Sequence, residues 1–458
     1  MSRRPLKSTV VFLVLTLYIV AFQVNTASQR GGSRDPGIRG GSPGAGHPIA
    51  GLTARETEFF TVGKEDFEEE EDVPDGLGPR MNLDGCGACH SQPAIGGTSP
   101  AVNPQVDFAS KLGGTDAVPS FITLNGPVRE ARFVRNPDGT PDGGVTNLFT
   151  ITGRQGARGC NLAQPNFERE LARGNVIFRI PSPVFGAGLI ESIEDHAILA
   201  NQAANVSVKR ALGIRGRPNV FVSGRTISGL PNRNGNDGTI TRFGWKAQNV
   251  SLLLFSGEAY NVEMGITSEL FQNERDQTRA CYFAPVPNDG QNMEAATALE
   301  GVIAIQNFAN FQRLLAPPQP STSSPGGSQS IARGRSVFGS TGCALCHTPT
   351  LRTGESATVA ALRNKDANLF SDLLIHDMGD RLADGVSQGQ AGPREFRTAP
   401  LWGLGQRIFF LHDGRTSDLV IAIKEHQSTG SEANGVIQKF LGLSDAQKQD
   451  LLNFLRSL

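Results

Sequence analysis

Cys86-Gly87-Ala88-Cys89-His90 and Cys343-Ala344-Leu345-Cys346-His347 follow one grammar, C-x-x-C-H. This is the attachment sequence of a c-type haem. Two thiols add across the porphyrin vinyl groups, and the adjacent imidazole takes one axial position on the iron. Thiolate and imidazole also suit zinc, but a zinc ribbon sets its two C-x-x-C pairs roughly 15–20 residues apart. These two runs lie far apart in the chain. A thioredoxin-like dithiol has no need of a His directly after its second Cys. With 6 Cys and 7 His in 458 residues, chance does not supply the motif twice. Two covalently held haem c groups are expected, and with them electron transfer or oxidation chemistry.

The N-terminus agrees. Arg3, Arg4 and Lys7 precede an apolar run from Thr9 to Phe22, followed by small and polar residues up to Ala27. That reads as a signal peptide over 1–28, which places the protein in the periplasm or otherwise outside the cytoplasm. The run is short for a membrane span, which needs about 20 apolar residues, so membrane attachment is expected only if the segment stays uncleaved. Net charge is -1, which gives no global field for nucleic acid. Gly 54 and Pro 27 are high and aromatics only 7%, so loops should be abundant. Cys160 and Cys281 are left over. In an oxidising compartment they would most simply pair, closing a loop worth up to ~5 kcal/mol in the chain-entropy model.

Residues 29–51, rich in Gly, Arg and Pro, read as a disordered tether. Thr53 and Glu56 fit a capping box that opens a helix with Phe59, Phe60 and Val62. The acidic run Glu65–Asp72 reads as a solvated face. Short apolar stretches starting at Phe121, Phe149 and Val220 look like strands, whereas Leu189–Ala200 and Ala295–Leu315 look helical. Residues 316–330, dense in Pro, Ser and Gly, mark a linker. A helix over Ile331–Phe338 then leads into Cys343, and Ser444 with Gln447 caps a closing helix. The expected fold is mainly α: an N-terminal haem c domain over 52–315 with a long, loop-rich α+β middle region, then a C-terminal haem c domain over 331–458.

Several stretches carry a family resemblance. They are Asp75-Gly-Leu-Gly-Pro; Arg179-Ile-Pro-Ser-Pro-Val-Phe-Gly-Ala-Gly-Leu-Ile-Glu; Arg242-Phe-Gly-Trp-Lys-Ala; Met264-Gly-Ile-Thr-Ser; Ser371-Asp-Leu-Leu-Ile-His-Asp-Met-Gly-Asp; Arg397-Thr-Ala-Pro-Leu-Trp-Gly-Leu-Gly; and His412-Asp-Gly-Arg. In this order, around two haem motifs, the chain resembles the di-haem oxidoreductase branch (also called predicted thiol oxidoreductase) of the bacterial di-haem cytochrome c peroxidase superfamily. The resemblance covers most of Leu52–Leu458. It implies that His90 and His347 are the proximal iron ligands. It also implies a second ligand for the second haem beyond His-Asp-Gly, where the peroxidases place a Met; here His426 falls in that stretch, and Met378 is the spare. A bis-His iron would be closed to substrate. The plainer alternative for His426 is an exposed helix-end imidazole.

Departures matter as well. The peroxidases cap their first haem with a His soon after its motif, and this chain has none between His90 and His196. An open first haem is therefore expected to be the active centre. The calcium that the peroxidases hold just before His-Asp-Gly is in doubt, because Arg407-Ile-Phe-Phe-Leu stands there. Trp245 matches the tryptophan that helps electrons cross between haems in relatives, or else simply fills the core. Peroxide cleavage needs a distal acid or base, with Glu263 first choice over Tyr260 and Met264. Arg397, Arg407 and Arg415 are candidate propionate partners, and His376 and His412 read as structural imidazoles. The expected function is a peroxidase-like oxidoreductase that reacts peroxide or O₂ at the first haem. Electrons would come from a small redox protein and pass through the second haem. The alternatives are an oxidase or oxygenase of an organic substrate, resembling rubber oxygenase or a tryptophan-modifying maturase, and a pure electron-transfer cytochrome.

Overall fold

Two capping boxes stand where the sequence puts them. The Thr53 hydroxyl accepts from the Glu56 N–H at 3.2 Å, and the Glu56 carboxylate accepts from the Thr53 N–H at 2.7 Å. Ser444 and Gln447 repeat the arrangement near the C-terminus. The computed structural model describes residues 32–220, 240–297, 299 and 301–458. The expected signal peptide and the continuation of the strand beyond Val220 lie outside the described residues.

Six helices position the site: α1 Ala54–Glu68, α2 Leu252–Met264, α3 Ala304–Leu314, α4 Ser328–Thr341, α5 Leu419–Glu425 and α6 Asp445–Ser457. They do not make the chain mainly α, because helix accounts for 33% of it and the rest is small sheets and loops. Glycine and proline interrupt the apolar runs too often for longer helices. One three-stranded antiparallel sheet has Glu130–Phe133 at its centre, flanked by Val145–Thr146 and Val176–Arg179. Phe149–Thr150 pairs with Arg80–Met81, and Asn219–Val220 pairs with Ile240–Thr241. The stretch at Phe121 is not a strand: a turn closes there, with the Ile122 N–H on Pro119 O at 2.9 Å. Leu189–Ala200 splits into two helices, Ala187–Glu191 and Asp195–Ala203.

One packing scheme occurs twice. α1 precedes the first motif and crosses α3, while α4 precedes the second motif and crosses α6. Each crossing has a glycine at its closest point. A Cβ on Gly63 would stand 2.3 Å from Asn307 O, and one on Gly334 would stand 1.9 Å from Asp450 O. Phenylalanines fill the space beside each crossing: Phe60, Phe67 and Phe311 in the first, Phe338, Phe370 and Phe454 in the second. The buried apolar core follows the same division, with a large cluster around the first motif and a smaller one around the second.

Residues 33–50 do not behave as the disordered tether expected from their composition. Asp35 forms an ion pair with buried Arg456 at 2.6 Å, the Arg39 N–H donates to Gly405 O at 2.7 Å, and the Ile49 N–H donates to Leu314 O at 2.7 Å. The 316–330 segment is tied down by the same strip: Ala316 and Gln319 donate backbone bonds to His47 and Gly44. Backbone pairing and one buried ion pair hold this strip without an apolar periodicity that a sequence would display. Cys160 and Cys281 are joined in a disulfide, 121 residues apart in sequence.

Candidate haem-binding site

Each C-x-x-C-H folds as one tight turn pressed against the helix before it. In the first, Cys86–Cys89 is a single helical turn, and the His90 N–H closes onto Cys86 O at 3.0 Å. Gly85 and Gly87 sit against the backbone of Glu69 and Glu68, where a side chain would collide. In the second, the His347 N–H closes onto Cys343 O at 2.9 Å. All four motif cysteines are unpaired and half-buried.

Three histidines share one orientation device. His90 Nδ1 lies 3.0 Å from Gly97 O, His347 Nδ1 3.0 Å from Phe370 O, and His426 Nδ1 2.8 Å from Ala422 O. A backbone carbonyl on Nδ1 fixes the tautomer and leaves Nε2 as the ligand atom, as iron-ligating imidazoles require. Burial pushes His90 and His347 down to about 4 and lowers His426, so all three are neutral at pH 7.

Two cavities open beside the motifs. The first is lined by Cys86, Cys89 and His90. The second is lined by Cys343, Cys346, His347 and His426, with Met378 on its wall. His426 is therefore no exposed helix-end residue; it ends α5 facing the same space as His347. Among the described residues, the first cavity has no second His and no Met on its wall. Met264 is buried elsewhere, its carbonyl accepting from the Gly78 N–H at 2.9 Å.

Polar groups on the walls that lack a charge or hydrogen-bond partner show what the cavities suit. Arg397 donates to Gly244 O at 3.1 Å and Arg407 to Pro400 O at 3.0 Å, and neither has a carboxylate partner among the described residues. Burial pushes both down to about 10. Both line the second cavity, where an anionic group would relieve an otherwise costly pair of buried cations. On the first cavity, Gln248 Oε1 and Gln312 Oε1 are buried with no hydrogen bond. Cavities at each motif, cysteine pairs, oriented imidazoles and guanidiniums without a carboxylate partner together fit a haem with its propionates. Arg415 does not join them: it pairs with Asp413 at 2.7 Å and Glu425 at 3.3 Å.

Trp245 lines both cavities, and its Nε1–H donates to Ile180 O at 3.0 Å. His412 stands edge-on to it at 6.4 Å and stacks on Phe396 at 4.3 Å. Glu263, in the last turn of α2, lines the first cavity. Burial pushes it up to about 8, and Glu130 and Glu258 push the same way against Arg132. Tyr260, one turn earlier, lines that cavity too and donates to Glu71 at 2.6 Å. The acidic run is thus not wholly a solvated face: Glu71 bonds Tyr260, and Asp66 accepts from Asn307 at 2.7 Å. His376 is held between Asp372 at 3.0 Å and Glu432 at 2.8 Å, and His196 is exposed beside Glu194. Sequence reasoning missed Glu71, because an acid in a run of acids carries no signal of its own.

The chain matches the family described as "Di-haem oxidoreductase, putative peroxidase" over residues 134–458. It belongs to that family, as its motifs led us to expect, and it is an oxidoreductase of the di-haem class. The matched span contains the second C-x-x-C-H and begins after the first. No curated protein matches the chain. Solved structures resemble it weakly. Hydrazine synthase of Kuenenia stuttgartiensis is 16% identical, with a TM-score of 0.22, over 35% of this chain and 56% of that one. The diheme peroxidase BthA of Burkholderia thailandensis is 14% identical, with a TM-score of 0.30, over 47% and 65%. A MauG-like protein associated with microbial copper homeostasis is 13% identical, with a TM-score of 0.27, over 58% and 89%. Likenesses this slight carry no chemistry to this chain.

Proposed function

We propose that this protein is an exported, peroxidase-like di-haem c oxidoreductase with one open and one closed haem site. Bound haem would supply the redox chemistry, peroxide or O₂ being reduced at the first site with electrons delivered by way of the second. The observation that carries the reading is the asymmetry of the walls. Two cavities are each built on C-x-x-C-H with a carbonyl-anchored His, yet only the second offers another imidazole, His426.

Each residue then has a task. The cysteine pairs form the thioether links, and His90 and His347 supply the proximal nitrogens. His426 would serve as a second ligand at the second site and keep substrate from it. Arg397 and Arg407 neutralise propionates. Trp245, in the wall common to both cavities, shortens the path for electrons between them. Glu263 holds a proton at neutral pH beside the first cavity, where peroxide cleavage needs one moved from one oxygen to the other. Reducing equivalents come from a small redox protein. Among the described residues no helix is long and apolar enough to cross a membrane.

The test is haem stoichiometry and spin state on protein matured in a haem-loading host. We expect two thioether-linked haems, one high-spin and one low-spin, with peroxide perturbing the high-spin signal alone. Bare polypeptide or bound zinc would overturn the reading. Two low-spin haems that ignore peroxide and carbon monoxide would make the protein a simple electron carrier.

A further inference from the structure

We propose that Tyr260 and Glu71 are a redox pair beside the first motif, the phenol giving up one electron toward that site as its proton crosses to the carboxylate. This deepens the peroxidase reading and rests on it. Tyr260 is 4% exposed and lines the first cavity. Its Oη donates to Glu71 Oε1 at 2.6 Å, and Phe308 meets its ring edge-on at 5.0 Å. A phenol loses an electron readily only if its proton leaves with it, and a carboxylate at hydrogen-bond distance is a ready acceptor. Glu71 is raised to about 7, first by burial and then by Glu69, Asp75 and Asp289, so it can keep that proton at neutral pH. Tyr282 offers no such acceptor: its hydroxyl donates to a backbone carbonyl, Asp276 O, at 2.9 Å.

The step balances. Phenol plus carboxylate becomes a neutral tyrosyl radical, a carboxylic acid and one electron. Hydrogen peroxide, the oxidant, takes two electrons and two protons to become two waters. Tyr260 supplies one electron and the bound haem the other; Glu71 keeps the phenol's proton, and the two protons that complete the waters come from solvent.

The chain has three tyrosines, Tyr18, Tyr260 and Tyr282, which makes the assignment simple. The haem-loaded, full-length protein is mixed with hydrogen peroxide, frozen within milliseconds and followed by paramagnetic resonance, with the Soret band recorded in parallel. We expect a tyrosyl radical in the wild type and in Tyr282→Phe. It should be absent from Tyr260→Phe and at least tenfold weaker in Glu71→Gln, with the Soret response kept in all four. In the wild type the yield should fall as pH drops below about 7; in Glu71→Gln it should not change there. A Soret response with no radical, or a radical that survives Tyr260→Phe, overturns the pair while leaving the peroxidase reading intact. No Soret response in the wild type overturns both.

Discussion

At the scale of single residues, the two C-x-x-C-H runs stand out because their residues are contiguous at fixed spacing. His426 is singled out only through the family resemblance, since nothing about a His after Lys-Glu announces a ligand. The structure gives it a local reason: the Ala422 carbonyl holds Nδ1 at 2.8 Å, on the wall that also carries His347. Changing His426 to Ala should therefore turn the second haem from low-spin to high-spin, read by absorption and paramagnetic resonance. An unchanged low-spin signal would mean that another group, such as Met378, is the ligand. Glu71 shows the opposite case. Its role depends on Tyr260, 189 residues away, and no local pattern encodes so distant a partner.

Helix starts were readable because a capping box is written in four residues; packing partners were not. Nothing in the sequence says that α1 crosses α3 across the whole middle region, yet Gly63 and Gly334 mark where each motif helix meets its partner backbone. A methyl group at either point must displace a backbone carbonyl, and overpacking of this kind typically costs about 1–3 kcal/mol. We expect Gly63→Ala and Gly334→Ala each to lower the melting temperature of the haem-loaded protein. The damage should be local: Gly63→Ala should disturb the high-spin signal and Gly334→Ala the low-spin one. Equal disturbance of both signals by either variant would argue against two separately packed crossings. The failed strand at Phe121 has a related cause. Four apolar-polar residues fit a strand and a turn equally well, and the choice falls to the Pro119 carbonyl.

For the molecule as a whole, long-range closure decides stability. The Cys160–Cys281 disulfide spans 121 residues, so replacing both cysteines with Ser should cost up to ~5 kcal/mol, measurable as a large drop in melting temperature. The pH dependence follows from which buried groups prefer to stay neutral. Glu71, Glu263 and Glu274 are raised to about 7, 8 and 10, each chiefly by burial. Unfolded, these carboxyls ionise near pH 4.5, so as pH rises the unfolded chain releases protons that the folded chain retains. Their contribution is greatest below pH 4.5 and is lost progressively up to each folded value. His412 works in the other direction. Burial pushes it down to about 4, so it favours the fold above its unfolded value of 6.5 and penalises it as pH falls from 6.5 toward 4. Between about pH 6.5 and 8 the carboxyls act together with His376, whose raised value works in the same direction, and against Lys246, which burial pushes down to about 8. Over that window the melting temperature should fall as pH rises, and Glu263→Gln, which cannot ionise, should flatten the fall. The same dependence on pH from 6.5 to 8 in wild type and Glu263→Gln would mean that Glu263 is charged at neutral pH, which would remove its proton-holding role at the first cavity.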